Sequence, residues 1–484
     1  MTKFYIDQHG CAKNQTDGEL IVGFLLNKGY IQTLDASEAD FIFVNSCGFI
    51  ESAKKESIQS IYDIKANYPE AKIILTGCLA ERYASMLGES MPELDGIFGN
   101  GDLSKIADFM DSIAEGKRQI KTFPQEGICS GNRPVLFNFK SSAFVKITEG
   151  CSNHCSFCAI PLIRGEVRSR TAESVINEIK ELISNGVYEI NLIGQDLAAY
   201  GTGINDNCFG DGPTSLNTSD SPSGLKRLLE KISLLEGDFL VRLLYIHPDH
   251  FNKDIIEVIK KDNRFAKYFD IPFQSGDDEI ILKMNRKGSQ KSYVDMIKYI
   301  KSELPGCAIR TTFLTGFPGE TDAAAENTKN FLKLIEPTWS GCFPYSREED
   351  TPAYSMKNKV SAKIAQKRAE ALEEIQSEIS INQLNAYVGK EYKVLIEEII
   401  ENNSDDEFEA TEGLALGRTW FQAPEVDGCV VVRYDLDDEK EKSAVKPGNV
   451  VKVKVLSNTG VDLDSRLISL EKEFSDSKII FRVL

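Results

Sequence analysis

Three cysteines spaced four and three residues apart, Cys151, Cys155 and Cys158 in the run Glu149-Gly-Cys-Ser-Asn-His-Cys-Ser-Phe-Cys158, are the densest group of soft metal ligands in the chain. One tight loop with three thiolates can hold three corners of an iron-sulfur cube. The ligand it does not supply leaves one iron open to another molecule, whereas a plain electron carrier supplies four. Structural zinc normally takes two closely spaced ligand pairs, and no second pair follows. His154 would complete a Cys₃His zinc set only from inside the loop, and chance clustering of structural thiols is the bland alternative. The apolar run at 143–147 reads as a short buried strand, so the loop sits at a strand's carboxyl end, where parallel α/β folds bind ligands.

Three more apolar runs, at 4–6, 41–44 and 72–75, lead almost directly into Cys11, Cys47 and Cys78. Short helical crossovers require those strands to be parallel, which brings all three thiols to one sheet edge. Gly10, Gly48 and Gly77 adjoin them, as in tight loops around a ligand. Spacing alone leaves two readings open, a second cluster site or three ordinary buried thiols.

The elements that must position these residues follow from pattern. A length of 484 residues suggests about three domains. Alternating strands and helices predict a parallel α/β domain over 1–125. Apolar runs at 189–193, 239–244, 268–271, 309–314 and 341–345, separated by helical stretches, extend the strand at 143–147 into a partial, six-stranded parallel (β/α)6 barrel over 137–385. Residues 201–224, rich in Gly, Asn, Asp, Ser and Pro, read as an inserted surface loop. A long amphipathic helix from Ser361 to about Ala386 crosses the barrel's outer surface. Short alternating runs then predict a small antiparallel β-barrel over 386–472.

The net charge of -18 disfavours a function that needs long contact with phosphate backbones and favours a basic partner. Residues 391–440 hold 15 acidic and 4 basic side chains, or -11. Eleven cysteines without a disulfide framework fit a reducing compartment. With no apolar run of membrane-spanning length and no signal segment, the expected location is the cytoplasm, with no membrane partner.

With these motifs in view, the chain resembles the radical SAM methylthiotransferases over essentially its full length, with the C-terminal barrel corresponding to a TRAM domain. Val44-Asn-Ser-Cys-Gly-Phe-Ile50, Arg164-Gly-Glu-Val-Arg-Ser-Arg170, Tyr345-Ser-Arg-Glu-Glu-Asp-Thr-Pro352 and Gln422-Ala-Pro-Glu-Val-Asp-Gly428 look like the branch that modifies an aspartate of ribosomal protein uS12. His9-Gly-Cys-Ala-Lys-Asn14 and the long 201–224 loop depart from the usual pattern. The resemblance implies two [4Fe-4S] clusters, one on Cys151, Cys155 and Cys158 that binds S-adenosyl-L-methionine, the other on Cys11, Cys47 and Cys78 that holds the transferred sulfur. It implies an electron donor such as flavodoxin or ferredoxin, and two clusters facing one cavity. Phe157 resembles the aromatic that packs the adenine, with a plain core aromatic as the alternative. Gln195 and Asp196 follow the second barrel strand and are candidates for the methionine end or ribose of the cofactor. Gln274 and Arg310 are candidates for the barrel mouth.

Other features read as bland. Gly201-Thr-Gly203 lacks the third glycine of a dinucleotide fingerprint. His247 and His250 read as a turn rather than a metal pair. Cys129, Cys208, Cys307, Cys342 and Cys429 read as structural thiols. The rival functions are a tRNA adenosine methylthiotransferase, with the same six cysteines, and a non-catalytic iron-sulfur carrier. Arg164, Arg168, Arg170, Lys283, Arg286 and Lys287 would be the basic patch for RNA, and the acidity of 391–440 weighs against it.

Overall fold

The computed structural model describes residues 2–216, 221–400, 411–475 and 477–483. Six parallel strands form the N-terminal sheet, in the order Ile31–Gln32, Lys3–Gln8, Phe41–Ser46, Lys72–Thr76, Gly96–Phe98 and Gln119–Lys121. Both faces are apolar, as in a sheet covered by helices on each side. Phe4, Phe41, Phe43 and Ile74 pack on one face, and Ile42, Val44, Ile73 and Leu75 on the other. Parallel pairing of Phe4–Gln8 with Phe41–Asn45, and of Phe41–Asn45 with Lys72–Thr76, aligns the strand ends that lead to Cys11, Cys47 and Cys78.

The central region is an open sheet of six parallel strands. Ser142–Lys146, Glu189–Ile193, Leu240–Leu243, Phe265–Asp270, Ala308–Thr315 and Trp339–Pro344 lie side by side in chain order. Period-two alternation sorts their side chains: Ala143 and Val145 join the layer packed on the helices, while Phe144 joins Ile193, Leu244 and Tyr268 inside. The helix Ala362–Asn385, N-capped by Ser361, packs across the last two strands. Residues 201–216 are tied down rather than loose, since Asp206 accepts from the Ser169 and Gly203 N–H groups, both at 2.9 Å. Residues 217–220 of the expected insertion lie outside the described residues.

The last domain is a closed five-stranded barrel of Glu391–Ile400, Glu412–Arg418, Val430–Asp435, Leu463–Lys472 and Val450–Asn458. Its segment 419–428 inserts into the larger barrel. Trp339 Nε1 donates to the Phe421 carbonyl at 2.8 Å, the Tyr268 hydroxyl donates to Asp427 at 2.6 Å, and Arg242 donates to the Trp420 carbonyl. Beneath this plug, fully buried Glu189 takes both nitrogens of Arg418 at 2.9 and 2.7 Å and one of Arg242 at 2.7 Å. Burial raises the Glu189 pKa, but the two guanidiniums outweigh it and hold the carboxyl well below the usual range.

Arg418→Met should therefore strip half of this buried joint and cost about 3–5 kcal/mol in chemical denaturation at pH 7. Because the folded-state pKa is depressed, the contribution of Glu189 is present above its unfolded value near 4.5 and is lost as pH falls through the folded one. The stability gap between wild type and variant should narrow below about pH 4.5, and a gap that does not change with pH would refute the ionised joint.

Candidate functional site

The Cys151–Cys158 loop is fixed by its own backbone. Gly150 has φ +73°, and a Cβ there would sit 2.1 Å from the Glu166 carbonyl oxygen, so only glycine lets the strand turn. The Cys151 N–H donates to the Gly165 carbonyl at 3.0 Å, and that of Cys158 to the Cys155 carbonyl at 3.0 Å. Asn153 donates to Cys151 Sγ at 3.2 Å and to Asp196 at 3.0 Å. His154 is turned away: its ring is 56% exposed and lies 3.1 Å from Glu166, which removes it from any Cys₃His set.

The second trio forms as the strand pattern requires. Cys11 caps the helix Ala12–Asn27, Cys47 follows the strand Phe41–Ser46, and Cys78 opens the helix Gly77–Ser90. The adjoining glycines permit close approach. A Cβ on Gly10 would meet Cys47 Cβ at 3.1 Å, and one on Gly48 would meet the Cys78 carbonyl oxygen at 2.8 Å. Gly77, at φ +85°, would place its Cβ 2.5 Å from the Ser46 oxygen.

Electrostatics fit both trios to a cationic guest. Burial pushes the Cys47 thiol up to about 12, with the neighbouring Cys78 adding to it. Burial likewise pushes Cys151 up to about 12 and raises Cys158, with Cys155 adding to the latter. Bound iron would supply the charge that lets these raised thiols ionise, whereas at Cys11 burial is outweighed by Lys13 and Arg164, which lower its pKa. Among the described residues, the metal-ligating atoms that all lie within 4.8 Å of one another belong to Asp196, His247 and His250, and neither cysteine trio meets that spacing.

The two trios are neighbours. Cys78 packs against Ala159 and Ile163, immediately behind the Cys151–Cys158 loop. Arg164, at the end of the helix Ile160–Arg164, donates to Cys78 Sγ at 3.2 Å, lies 2.9 Å from Asp17, and donates to Glu149 at 2.8 Å. Lys146 bridges Asp17 and Glu149, the latter at 2.5 Å. All four charged side chains are at most 10% exposed. Sequence pattern had put Arg164 in a basic surface patch. It is buried, as are Arg170 and Arg286, because each pairs with carboxylate or backbone acceptors inside the fold.

The remaining candidates divide between two places. Asp196 is buried beside the first loop and accepts from Asn153, from the His247 N–H at 3.2 Å and from the His250 ring at 2.7 Å. His247 Nε2 lies 3.7 Å from Cys155 Sγ, so the His247–His250 turn also borders the site, which its spacing did not reveal. Gln195 donates to Glu149 at 3.0 Å. Phe157 packs with Ile280, Met284 and Phe317, close to its core reading. Gln274, at φ +69°, has a buried side-chain oxygen with no partner among the described residues. Arg310 instead lines a cavity of about 380 Å³ with Gly10, Cys11, Tyr245, Asp270 and Glu425, to which all three domains contribute. Tyr245 and Asp270 belong to that place, with Lys13 against the Tyr245 ring, and were missed, since no motif marks them.

Comparisons with known proteins agree with this architecture. Residues 3–99 match a family model described as uncharacterized protein family UPF0004, residues 145–332 the radical SAM superfamily, and residues 388–468 the TRAM domain. Ribosomal protein uS12 methylthiotransferase RimO of Treponema denticola is 49% identical, covering 95% of this chain and 99% of that protein. Those of Carboxydothermus hydrogenoformans and a Thermoanaerobacter species are 34% and 39% identical, covering 96% and 88% of this chain and 100% and 92% of theirs. Among solved structures, the radical S-adenosylmethionine methyltransferase TsrM of Kitasatospora setae shares the fold at a TM-score of 0.54 and 11% identity, over 78% of this chain and 89% of that one.

Arg164→Gln should leave Asp17, Glu149 and Lys146 unbalanced in the interior, lowering stability by about 3–5 kcal/mol. Arg164→Lys, which keeps the charge and loses the planar fork, should recover only part of this in the same denaturation measurement.

Proposed function

The chain belongs to the family of ribosomal protein uS12 methylthiotransferases, and from that membership we propose that it places a methylthio group on the β-carbon of an aspartate in uS12. It is a radical SAM enzyme that uses [4Fe-4S] clusters and S-adenosylmethionine. These groups supply the one-electron chemistry that replaces an unactivated C–H bond by a C–S bond. We assign Cys151, Cys155 and Cys158 to the cluster that binds S-adenosylmethionine, and Cys11, Cys47 and Cys78 to the cluster that holds the sulfur. The observation that carries this reading is the packing of Cys78 directly behind the first loop, because a reacting carbon must meet both sites without travelling far.

The chain's own residues then have separable tasks. Asn153, donating to both Cys151 and Asp196, fixes the loop relative to the second barrel strand. Phe157, Gln195, Asp196 and the unpaired oxygen of Gln274 border the place of S-adenosylmethionine. Pro424, Glu425 and Val426 of the C-terminal barrel cover the side of the shared cavity, where exclusion of water protects reactive species. The working units are 1–125, 137–385 and 386–472. Flavodoxin or ferredoxin is the proposed electron donor and the cytoplasm the proposed location. No helix among the described residues is long and apolar enough to cross a membrane.

The test is mass spectrometry after anaerobic reduction of the two-cluster protein with S-adenosylmethionine, a sulfur source, uS12 and unmodified tRNA. The methylthio group should appear on an aspartate of uS12, and its appearance on tRNA adenosine would overturn the substrate. Cys151→Ala, Cys155→Ala or Cys158→Ala should abolish 5′-deoxyadenosine. Cys11→Ala, Cys47→Ala or Cys78→Ala should spare that product and stop methylthiolation; loss of both would contradict the division of labour.

A further inference from the structure

Arg310, which lines the shared cavity, and Lys13, behind its Tyr245 wall, have no acid within hydrogen-bonding distance. Arg310 stands on the strand Ala308–Thr315 and its side chain is 12% exposed. Among the described residues its nearest carboxylate oxygens are Asp427 Oδ1, 3.6 Å from Nη1, and Asp270 Oδ1, 3.9 Å from Nε. The far oxygen of each acid is engaged elsewhere, while the Asp427 Oδ1 that faces Arg310 has no hydrogen-bond partner among the described residues. Asp427 Oδ2 accepts from the Tyr268 hydroxyl at 2.6 Å and the Ala423 N–H at 2.8 Å, while Asp270 Oδ2 accepts from the Tyr245 N–H at 3.0 Å. Lys13 is 8% exposed, and its Nζ lies 3.1 Å from the centre of the Tyr245 ring, a wall of the same cavity.

A guanidinium carries five donors in a rigid fork, and removing it from water is offset only when those donors find acceptors. Leaving Arg310 and Lys13 without such bonds is costly for the empty protein and useful for one that binds an anion there. Burial pushes the Asp270, Asp427 and Glu425 carboxyls upward and the Lys13 amine downward, all toward their neutral forms, which leaves the Arg310 guanidinium as the dominant charge. Cys11 opens into this cavity beside them.

We propose that Arg310 and Lys13 form a carboxylate-binding subsite that grips the side chain of the substrate aspartate. This rests on the uS12 reading above and adds how the residue to be modified is recognised. The carbon that loses hydrogen is bonded to the carboxyl carbon, so fixing the carboxylate fixes the reacting carbon against the sulfur site. Asparagine has nearly the same shape and no charge, so the subsite would select against it by denying the Arg310 fork the charged acceptor it lacks in the empty cavity.

The test uses the two-cluster holoenzyme, uS12, and uS12 with the target aspartate replaced by asparagine. Binding is read without reductant by fluorescence anisotropy, and kcat/KM by mass spectrometry. Wild type should bind the aspartate form about 10- to 100-fold tighter than the asparagine form. Arg310→Gln and Lys13→Gln should each collapse that ratio toward one without weakening binding of the asparagine form, and Arg310→Lys should retain part of it. Iron content and cluster EPR signals equal to wild type identify variants that are folded and loaded. A wild-type ratio near one, a ratio that survives both substitutions, or equal weakening of both forms would overturn the subsite. A wild type that binds the aspartate form selectively but never modifies it would overturn the functional reading and leave the subsite standing.

Discussion

The arrangement of this protein depends on a buried quartet of charges. Asp17 comes from the helix that starts at Cys11, Lys146 and Glu149 from the strand end before Cys151, and Arg164 from the helix after Cys158. Two cations and two anions out of water are tolerable only when they balance and each is hydrogen-bonded. That condition is met in one relative placement of the N-terminal sheet and the barrel. Sliding one past the other would leave uncompensated charge in the interior, a far steeper penalty than loss of the same area of apolar contact. Arg164 also reaches Cys78, so the restraint ends on a thiol of one trio while starting six residues beyond Cys158 of the other.

The same logic closes the other side. A six-stranded open sheet leaves a flank that eight strands would have sealed. Here the segment 419–428 packs on the sheet itself, giving backbone carbonyls to Trp339 and Arg242 and the Asp427 carboxylate to Tyr268 on its sixth, third and fourth strands. On the N-terminal side, Glu348 receives Arg82 at 2.8 Å and Lys54 at 3.1 Å. Two of the segments that mark the subgroup in sequence, 345–352 and 422–428, are thus joints between domains. Their residues are specific because a joint must match two surfaces at once.

Much of the fold was legible because it rests on local periodicity. The six barrel strands and the capped helix at 362–385 follow from apolar alternation and a Ser at the cap. The Cys151 loop was legible because its ligands lie close in sequence, and the second trio because parallel strands must end on one edge. What was not legible depends on pairing across long separations. Nothing in the spacing of Arg164 distinguishes it from Arg168, yet one is buried against a thiol and the other reaches loop carbonyls near the surface. His154 sits among the cysteines in sequence and points away, whereas His247, 92 residues from Cys155, points in. Arg310 looked like a residue of the cofactor site, and its strand carries it to the cavity of Cys11.

Net charge and cavity charge act at different stages of recognition. The excess of acids in 391–440 acts at a distance: it raises the encounter rate with a basic protein and falls off with salt. Ten of those residues, 401–410, lie outside the described ones. Several of the rest are spent within the barrel, Glu391 on Lys452 at 2.6 Å and Glu412 on Arg433 at 2.8 Å. Long-range charge of this kind favours basic proteins as a class and cannot choose one side chain. That choice falls to short-range groups that are desolvated before the substrate arrives, because in a low-dielectric cavity an unmatched charge costs far more than it does at the surface. Acidic outside and with Arg310 at the proposed subsite, the protein would use opposite signs for opposite tasks: attraction of a basic partner, then selection of an acidic residue within it.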